Sequence, residues 1–352
     1  MHYRDRVTGA LIHQLTNGGA ISHPGYFLQS SFTPDGARVL FTSYRTGSPQ
    51  LFSAGFPNGE IEQLTFGAPI HPYSAAIRGE RVFFVRGGEI WKLTLDTRVE
   101  QLVVRLDGQL GEVSPDANGD WLVAAFRSDA GAGLACGRGD GSGWKLIPFG
   151  RTVIHPQFHP LEPEWIEFAG DPAPRMHRVR RDGSGLECLY EHGNDEFVVH
   201  EAFVAATGDL VFTVWPRLLC AMDWTTRRIR QIAEFNAWHI APNRAGTHVL
   251  CDTNHPDTGI WLIDSRDGSR RLVCLSDSSN RGTQWRKSSY ALKADFVAAQ
   301  NGNLSWMETA ADTVYGPQWT HPHPAFSNDE RRITFTSDRS GLPQVYVADL
   351  VD

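Results

Sequence analysis

Short segments in which apolar and polar residues alternate recur along the chain, and turn residues bound each of them. One unit begins with a turn at residues 31–36 and continues through strand-like segments at 38–43, 50–52 and 62–65. The same order of turn and strands returns near the C-terminus, in residues 325–347. Alternation with a period of two, interrupted by Gly, Pro and Asp, is typical of β-strands joined by tight turns.

Weaker copies of this unit begin near five further positions: His71, Val113, His155, His200 and His239. This makes about seven units, spaced by roughly 40 to 48 residues, which is the repeat expected for blades of four strands. The 352 residues include 34 Gly and 11 Trp and are 41% hydrophobic, a composition that suits a turn-rich all-β protein. The sequence therefore predicts one domain over residues 1–352, a seven-bladed β-propeller.

The two ends of the chain complement each other. The last unit stops after its third strand, at residues 345–350, and the chain begins with a spare strand at residues 10–16. We expect this N-terminal strand to complete the last blade, because closing the ring removes exposed strand edges.

One interval between units is about twice the repeat, and the surplus lies at about residues 277–317. A long insertion in a compact repeat is often a functional loop or lid. It includes a possible helix at 289–300. It also has basic and aromatic residues that suit a carboxylated sugar: Arg281, Gln284, Trp285, Arg286 and Lys287. The alternative is an eighth, degenerate blade.

The net charge limits the classes of partner, and the hydropathy and cysteine content indicate the cellular compartment. A net charge of −7 argues against nucleic acid or an anionic membrane as the partner of the whole surface. The first residues have no apolar core of the signal-peptide kind, and no later run is long enough to span a membrane. Five scattered cysteines without a C-x-x-C pair suit free thiols. These features predict a cytoplasmic protein.

The segment with the most specific chemistry is Gln318-Trp319-Thr320-His321-Pro322-His323-Pro324. In an extended segment, residues two apart share a face, so His321 and His323 can direct their imidazoles to one point while Gln318 supplies an amide oxygen. This pattern predicts a metal site. In the alternative interpretation, His-Pro only opens a blade, as it does at His23 and His71.

Other candidate residues fall where the blades of a propeller meet one face of the central channel. The inner strands start there, with His155, His159, His200 and His239 among their first residues. The turns between second and third strands return to that face and carry Arg45, Arg217, His255 and Arg339. The chain has neither a G-x-S-x-G elbow nor a phosphate-binding G-x-x-x-x-G-K loop.

The tract at 318–324, with Phe335-Thr336-Ser337-Asp338, His200-Glu201 and Trp238-His239, resembles the oligogalacturonate lyases. These are cytoplasmic propeller enzymes that degrade short pectin fragments. The resemblance implies a divalent metal, typically manganese, held by Gln318, His321, His323 and a histidine of the preceding blade. His239 is the first choice for that histidine and His255 the alternative. It also implies that His200 is the catalytic base.

The chemistry that this implies is β-elimination on digalacturonate or trigalacturonate. A divalent ion on the uronate carboxylate stabilises the charge that develops when a neutral histidine removes the C5 proton. Arg217 would assist, and Arg45, Arg217 and Arg286 would bind substrate carboxylates. The sequence leaves two alternatives: a non-catalytic propeller of the TolB type that binds a protein or peptide, and a metal-dependent hydrolase or epimerase of another acidic sugar.

Overall fold

Tight turns separate the strands where the sequence indicated them. In the first blade, the Thr33 hydroxyl donates to Asp35, and Gly36 adopts a φ of 69°, a left-handed conformation that glycine accepts without steric cost. The last blade repeats the device with Ser327 and Asp329. In this computed structural model, residues 1–254, 256–279 and 320–350 are described, and they form seven antiparallel sheets.

The chain opens with β1 (His2–Arg4) and β2 (Leu11–Gln14), which belong to the last blade. The first three blades that follow have four strands each. Blade 1 contains β3 (Ser22–Pro24), β4 (Arg38–Ser43), β5 (Gln50–Gly55) and β6 (Ile61–Gln63). Blade 2 contains β7 (Ala76–Arg78), β8 (Arg81–Arg86), β9 (Glu89–Thr94) and β10 (Glu100–Arg105). Blade 3 contains β11 (Gln109–Pro115), β12 (Trp121–Ser128), β13 (Gly131–Arg138) and β14 (Lys145–Pro148).

The remaining blades follow in chain order. Blade 4 contains β15 (Thr152–Phe158), β16 (Trp165–Asp171), β17 (Met176–Arg180) and β18 (Glu187–Cys188). Blade 5 contains β19 (Phe197–Phe203), β20 (Leu210–Trp215), β21 (Leu218–Met222) and β22 (Ile229–Glu234). Blade 6 contains β23 (Ile240–Pro242), β24 (His248–Cys251), β25 (Ile260–Asp264) and β26 (Arg270–Cys274). Blade 7 contains β27 (Ala325–Phe326), β28 (Arg332–Ser337) and β29 (Gln344–Asp349), together with β2 and β1.

The N-terminal strand closes the ring, as the sequence predicted. β2 pairs antiparallel with β29, with Ile12 opposite Ala348 and Gln14 opposite Tyr346. β1, which the sequence did not predict, pairs with β2 as a fifth and outermost strand. The all-β fold and the seven blades are both confirmed.

The hydrophobic core lies between the blades rather than within any one of them. Each of the seven largest clusters combines side chains from two adjacent blades. The cluster between blades 7 and 1 joins Val345 and Val347 to Phe32 and Phe41. Because a single blade cannot bury both of its faces alone, every blade depends on its two neighbours.

The insertion predicted at about 277–317 falls almost wholly outside the described residues. Its predicted helix at 289–300, its basic and aromatic residues and the eighth-blade alternative all lie there. Asp277, at its start, pairs with Arg6 and with Arg339, each at 2.8 Å.

The five cysteines are all free thiols, and four of them are buried. This agrees with the interpretation of the cysteine pattern. No helix within the described ranges is long and apolar enough to cross a bilayer.

We expect Ile12→Ala to destabilise the whole ring, because Ile12 is fully buried against blades 6 and 7 and its strand completes blade 7. Truncating such a side chain costs about 2–5 kcal/mol of unfolding free energy. Urea unfolding measures this change. The control is Val7→Ala, also near the N-terminus but 64% exposed, for which we expect a change within about 0.5 kcal/mol. Equal effects of the two substitutions would contradict the role of β2 as a closing strand.

Candidate metal and catalytic site

Three buried histidines from blades 6 and 7 converge at the centre of the ring. One nitrogen from each of His239, His321 and His323 lies within 4.8 Å of the other two. Burial, and then the charge of neighbouring histidines, lowers the pKa of His239 and of His323 well below the ordinary value. Neutral imidazoles offer lone pairs, so this three-histidine group has the donor type and spacing to hold a divalent cation.

His321 and His323 come together in a different way from that expected. The sequence placed them on one face of an extended segment, but His323 has a φ of 47°, which is a left-handed and not an extended conformation. Its Nδ1 lies 3.0 Å from the carbonyl oxygen of His321 and donates to it, which leaves the Nε2 lone pair for a ligand. This Nε2 is buried without a hydrogen-bond partner among the described residues. A bound cation would satisfy it.

Asp252 fixes the orientation of two members of the group. One carboxylate oxygen accepts from the His239 backbone N–H at 2.7 Å, and the other contacts the His239 Nδ1, also at 2.7 Å. The second oxygen also accepts from the His323 backbone N–H at 3.2 Å. A carboxylate behind a histidine fixes its tautomer and directs the opposite nitrogen at a metal. Sequence reasoning missed Asp252, although it directly follows β24 and lies opposite His239, one step beyond the Ile240–Cys251 pair.

Two further histidines of the inner strands adopt left-handed backbone conformations. His155 has a φ of 55° and His200 a φ of 58°, and each lies at a bulge in its strand, β15 or β19. Such a conformation costs roughly 1–3 kcal/mol for a residue other than glycine, and it is typical of functional sites. The bulge turns both side chains toward the channel, where their rings lie 5.5 Å apart.

His200 lies directly beside the three-histidine group. Its ring centroid is 4.5 Å from that of His239, and the edges of Trp238 and Phe27 pack around it. Burial, and then the charges of His239, His155, His323 and Arg175, lowers the pKa of His200 well below its ordinary value. The imidazole is therefore neutral near pH 7 and able to accept a proton.

A buried arginine that sequence reasoning missed adds positive charge close to His200. Arg175 is 1% exposed, although it follows β16 in the turn between the second and third strands of blade 4. Its guanidinium hydrogen-bonds Asp171 and lies over the ring of Phe197, 5.2 Å from the centroid. Its position in the repeat could have identified it, because Arg175 lies between the second and third strands of its blade, as Arg45 and Arg217 do in theirs.

Two buried glutamates lie behind these side chains. Burial opposes the ionisation of Glu201, but His155 and Arg175 hold the pKa of its carboxyl below the ordinary value. Burial and the charge of Glu201 raise the pKa of Glu167 well above the ordinary value. The two carboxyl groups therefore carry one proton in total. The side-chain amide of Gln157 donates to the Glu167 carboxyl group and to the Glu201 backbone carbonyl.

Tyr26 connects the two groups of histidines across the channel. Its hydroxyl lies 2.8 Å from the Nε2 of His155, and its ring packs 5.2 Å from that of His323. Glu112, from the inner strand of blade 3, accepts from the His155 backbone N–H at 2.6 Å. Side chains from blades 3 to 7 therefore line the channel, and Tyr26, which follows β3 of blade 1, joins them.

The other predicted residues are more dispersed. Arg217 is largely exposed at the rim, where it pairs with Glu196 at 3.5 Å, and Arg45 packs over Phe41 and Phe52 in blade 1. No contact joins either arginine to the three-histidine group within the described part of the chain. His159 lies at the far end of β15, stacked on Trp224, and so does not belong to the site as the sequence suggested.

Three candidates fall outside the described residues. They are the metal ligand Gln318, the alternative ligand His255 and the substrate-binding Arg286. Their roles stay predictions.

Comparisons with known proteins show similarity to oligogalacturonate lyases along the whole chain. The chain is 24% identical to an oligogalacturonate lyase of Dickeya dadantii, over 99% of this chain and 96% of the relative. It is 22% identical to an oligogalacturonide lyase of Pectobacterium atrosepticum, with the same coverage. An oligogalacturonate lyase solved in complex with manganese superposes with a TM-score of 0.81, at 21% identity over all of this chain and 96% of that one. A second, from Vibrio parahaemolyticus, superposes with a TM-score of 0.79, at 20% identity over all of this chain and 97% of that one.

The sequence profile of the family described as oligogalacturonate lyase matches residues 151–352, which span blades 4 to 7 and every histidine of the site. That stretch is more than half of the chain. The protein belongs to the oligogalacturonate lyase family.

Proposed function

We propose that the protein cleaves short oligogalacturonides, such as digalacturonate and trigalacturonate, by β-elimination to unsaturated uronates. The observation that carries this proposal is a neutral, strained His200 whose ring lies 4.5 Å from His239 of a three-histidine group. The lyase names of its relatives in Dickeya and Pectobacterium support the same reaction.

The residues fit a divalent cation. His239, His321 and His323 would hold it, with Gln318 as the fourth ligand, and the buried Nε2 of His323 gains the partner that it lacks. Manganese is the metal we propose, because a solved relative is a manganese complex. When bound, the cation would stabilise the negative charge that develops on the uronate carboxylate during proton removal.

His200 is the proposed base. Its lone pair takes the proton from C5 of the uronate, the C5–H electrons form the C4–C5 double bond, and the C4–O4 bond breaks as the leaving oxygen takes up a proton. A neutral imidazole suffices for this step near pH 7, and burial keeps His200 neutral. The edges of Trp238 and Phe27 exclude water from its ring and fix its orientation.

Arginines supply the other contacts to an acidic sugar. Arg175 is the proposed partner of a carboxylate beside His200, since it is the buried cation whose charge acts on that histidine. Arg217 and Arg45 are proposed as outer contacts that attract the substrate, and Arg286 is proposed as a further residue that binds it. Arginines and neutral metal-binding histidines in the channel would favour the binding of an anionic sugar, despite the net charge of −7 of the chain.

We expect His200→Ala to lower kcat by at least about 100-fold, the usual contribution of a positioned general base. The assay is the rise in absorbance of the conjugated double bond on digalacturonate with added Mn²⁺. The rise should disappear after chelation of the metal. His248→Ala, at the far end of blade 6, is the control and should retain activity. A saturated or epimerised product would contradict elimination, and activity unchanged in His200→Ala would contradict the base.

We expect Asp252→Asn to weaken Mn²⁺ binding by about 10- to 100-fold, because the amide no longer fixes His239 and His323 as the carboxylate does. Competition with a chelating dye measures the affinity without reference to turnover. Asp267→Asn, an exposed position of the same blade, is the matched control. Equal affinities in all three proteins would argue that these histidines do not hold the metal.

We expect Arg175→Lys to lower kcat/KM by at least about tenfold, because an ammonium cannot reproduce the forked contacts of a buried guanidinium. Arg217→Lys should change kcat/KM by less than about threefold, since an exposed ion pair contributes little. Initial rates on digalacturonate distinguish the two variants, and thermal melting verifies that both are folded. The reverse order of effects would favour Arg217 as the arginine that acts in the reaction.

A further inference from the structure

A second concave site lies between blades 3 and 4. It is a cavity of about 890 Å³ whose lining includes Arg127, Ser128, Gly131, Arg151 and Thr152. We call it the blade 3–4 cavity. Two aspartates, Asp107 and Asp129, also line it. None of these residues belongs to the site described above.

The cavity opens on the same face of the ring as His200. Thr152 begins β15 and pairs with Asp171, the last residue of β16, and Arg175 lies in the turn that follows. At about 3.3 Å per residue, Thr152 lies roughly 10 Å along the strand from His155, whose ring neighbours that of His200. The turn of blade 3 at Ser128 and Gly131 forms the opposite wall at the same end of its blade.

Contacts from Arg151 join the cavity to Arg175. Arg151 Nη1 donates to the carbonyl of Pro172 at 2.7 Å, and its Nη2 lies 3.0 Å from the Nε2 of His177. The Nδ1 of His177 donates in turn to the carbonyl of Arg175 at 2.9 Å, so its Nε2 is an acceptor. These two bonds use two of the five N–H donors of Arg151. The other three N–H donors take no part in these two bonds, and Arg151 lines the cavity.

The lining suits a carboxylated sugar better than other small ligands. Two guanidinium groups match a carboxylate, whereas aspartates and a serine hydroxyl accept from sugar hydroxyls. The described residues of the lining include no aromatic ring, so they offer no stacking platform for a flat apolar ligand.

We propose that the blade 3–4 cavity binds an additional uronate of an oligogalacturonide, with Arg127 and Arg151 holding its carboxylate, while His200 acts on the bond nearer the channel. This inference rests on the proposed function, because it extends the same substrate across the face. A third sugar unit would then gain binding energy that a disaccharide, confined to the channel, cannot reach. The cavity would thus determine chain-length preference.

The test compares sugars of two lengths on inactive enzyme, so that no substrate is consumed. Digalacturonate and trigalacturonate are titrated by calorimetry, with Mn²⁺ present, into His200→Ala and into His200→Ala combined with Arg127→Ala. We expect Arg127→Ala to weaken trigalacturonate binding by about 10-fold, the usual effect of a charge-assisted hydrogen bond, and to leave digalacturonate unchanged.

Two further variants keep the result interpretable. Arg138→Ala removes an arginine from the opposite end of blade 3, where Arg138 pairs with Trp121, and should alter neither affinity. Ser128→Phe places a bulky ring in the wall of the cavity, obstructs it, and should reproduce the selective loss for trigalacturonate.

Equal losses for both sugars, no loss for either, or no binding of trigalacturonate at all would overturn the cavity proposal. The proposed function is judged separately, by whether the wild-type protein forms an unsaturated product. A selective loss of trigalacturonate binding without any unsaturated product would retain the cavity as a uronate site and reject the lyase reaction.

Discussion

Closure of the ring is the constraint on which the rest of the structure depends. Each large hydrophobic cluster is shared by two blades, so no blade is complete without both neighbours. The pairing of β2 with β29 supplies the missing strand of blade 7 and joins the two ends of the chain. Only in the closed ring do the inner strands of blades 4 to 7 bring their histidines to one point, from positions more than 160 residues apart in sequence, as with His155 and His323.

The centre of the ring contains strained backbone conformations and buried charges, and packing of the surrounding blades must compensate for their energetic cost. Three of its histidines, His155, His200 and His323, have left-handed backbones, and beside them burial and the charge of Glu201 raise the pKa of the Glu167 carboxyl well above its ordinary value. Such features persist only where the surrounding packing over-determines the conformation. The inner strands here are held by their own blades and by hydrogen bonds between adjacent blades, such as the one that the His155 backbone N–H donates to Glu112.

The distribution of charge reconciles an acidic protein with an acidic substrate. The chain has a net charge of −7, but burial keeps His200, His239 and His323 neutral, and Arg175 adds a fixed positive charge beside His200. A bound divalent cation would add further positive charge at this centre. Arg127 and Arg151 lie on the same face, so the cationic surface proposed for the substrate extends from the channel toward blades 3 and 4.

The sequence by itself determined the repeat, the seven blades and the closing strand, because these depend on a period and on turn chemistry that are local in the chain. The family resemblance implied that His239 joins His321 and His323 but left His255 as an alternative, and the structure groups His239 with the other two. The sequence placed His200 at the start of an inner strand, whereas the structure has His200 in the middle of β19, at a bulge. It did not find Asp252, Arg175 or Tyr26, since each acts through a partner in another strand or another blade. Nor did it foresee that a left-handed His323, rather than a regular strand, directs the ring toward its neighbours. Packing in the closed ring decides the direction of a side chain at a bulge, and it decides which arginine of several similar turns is buried. Only the tertiary structure contains that information.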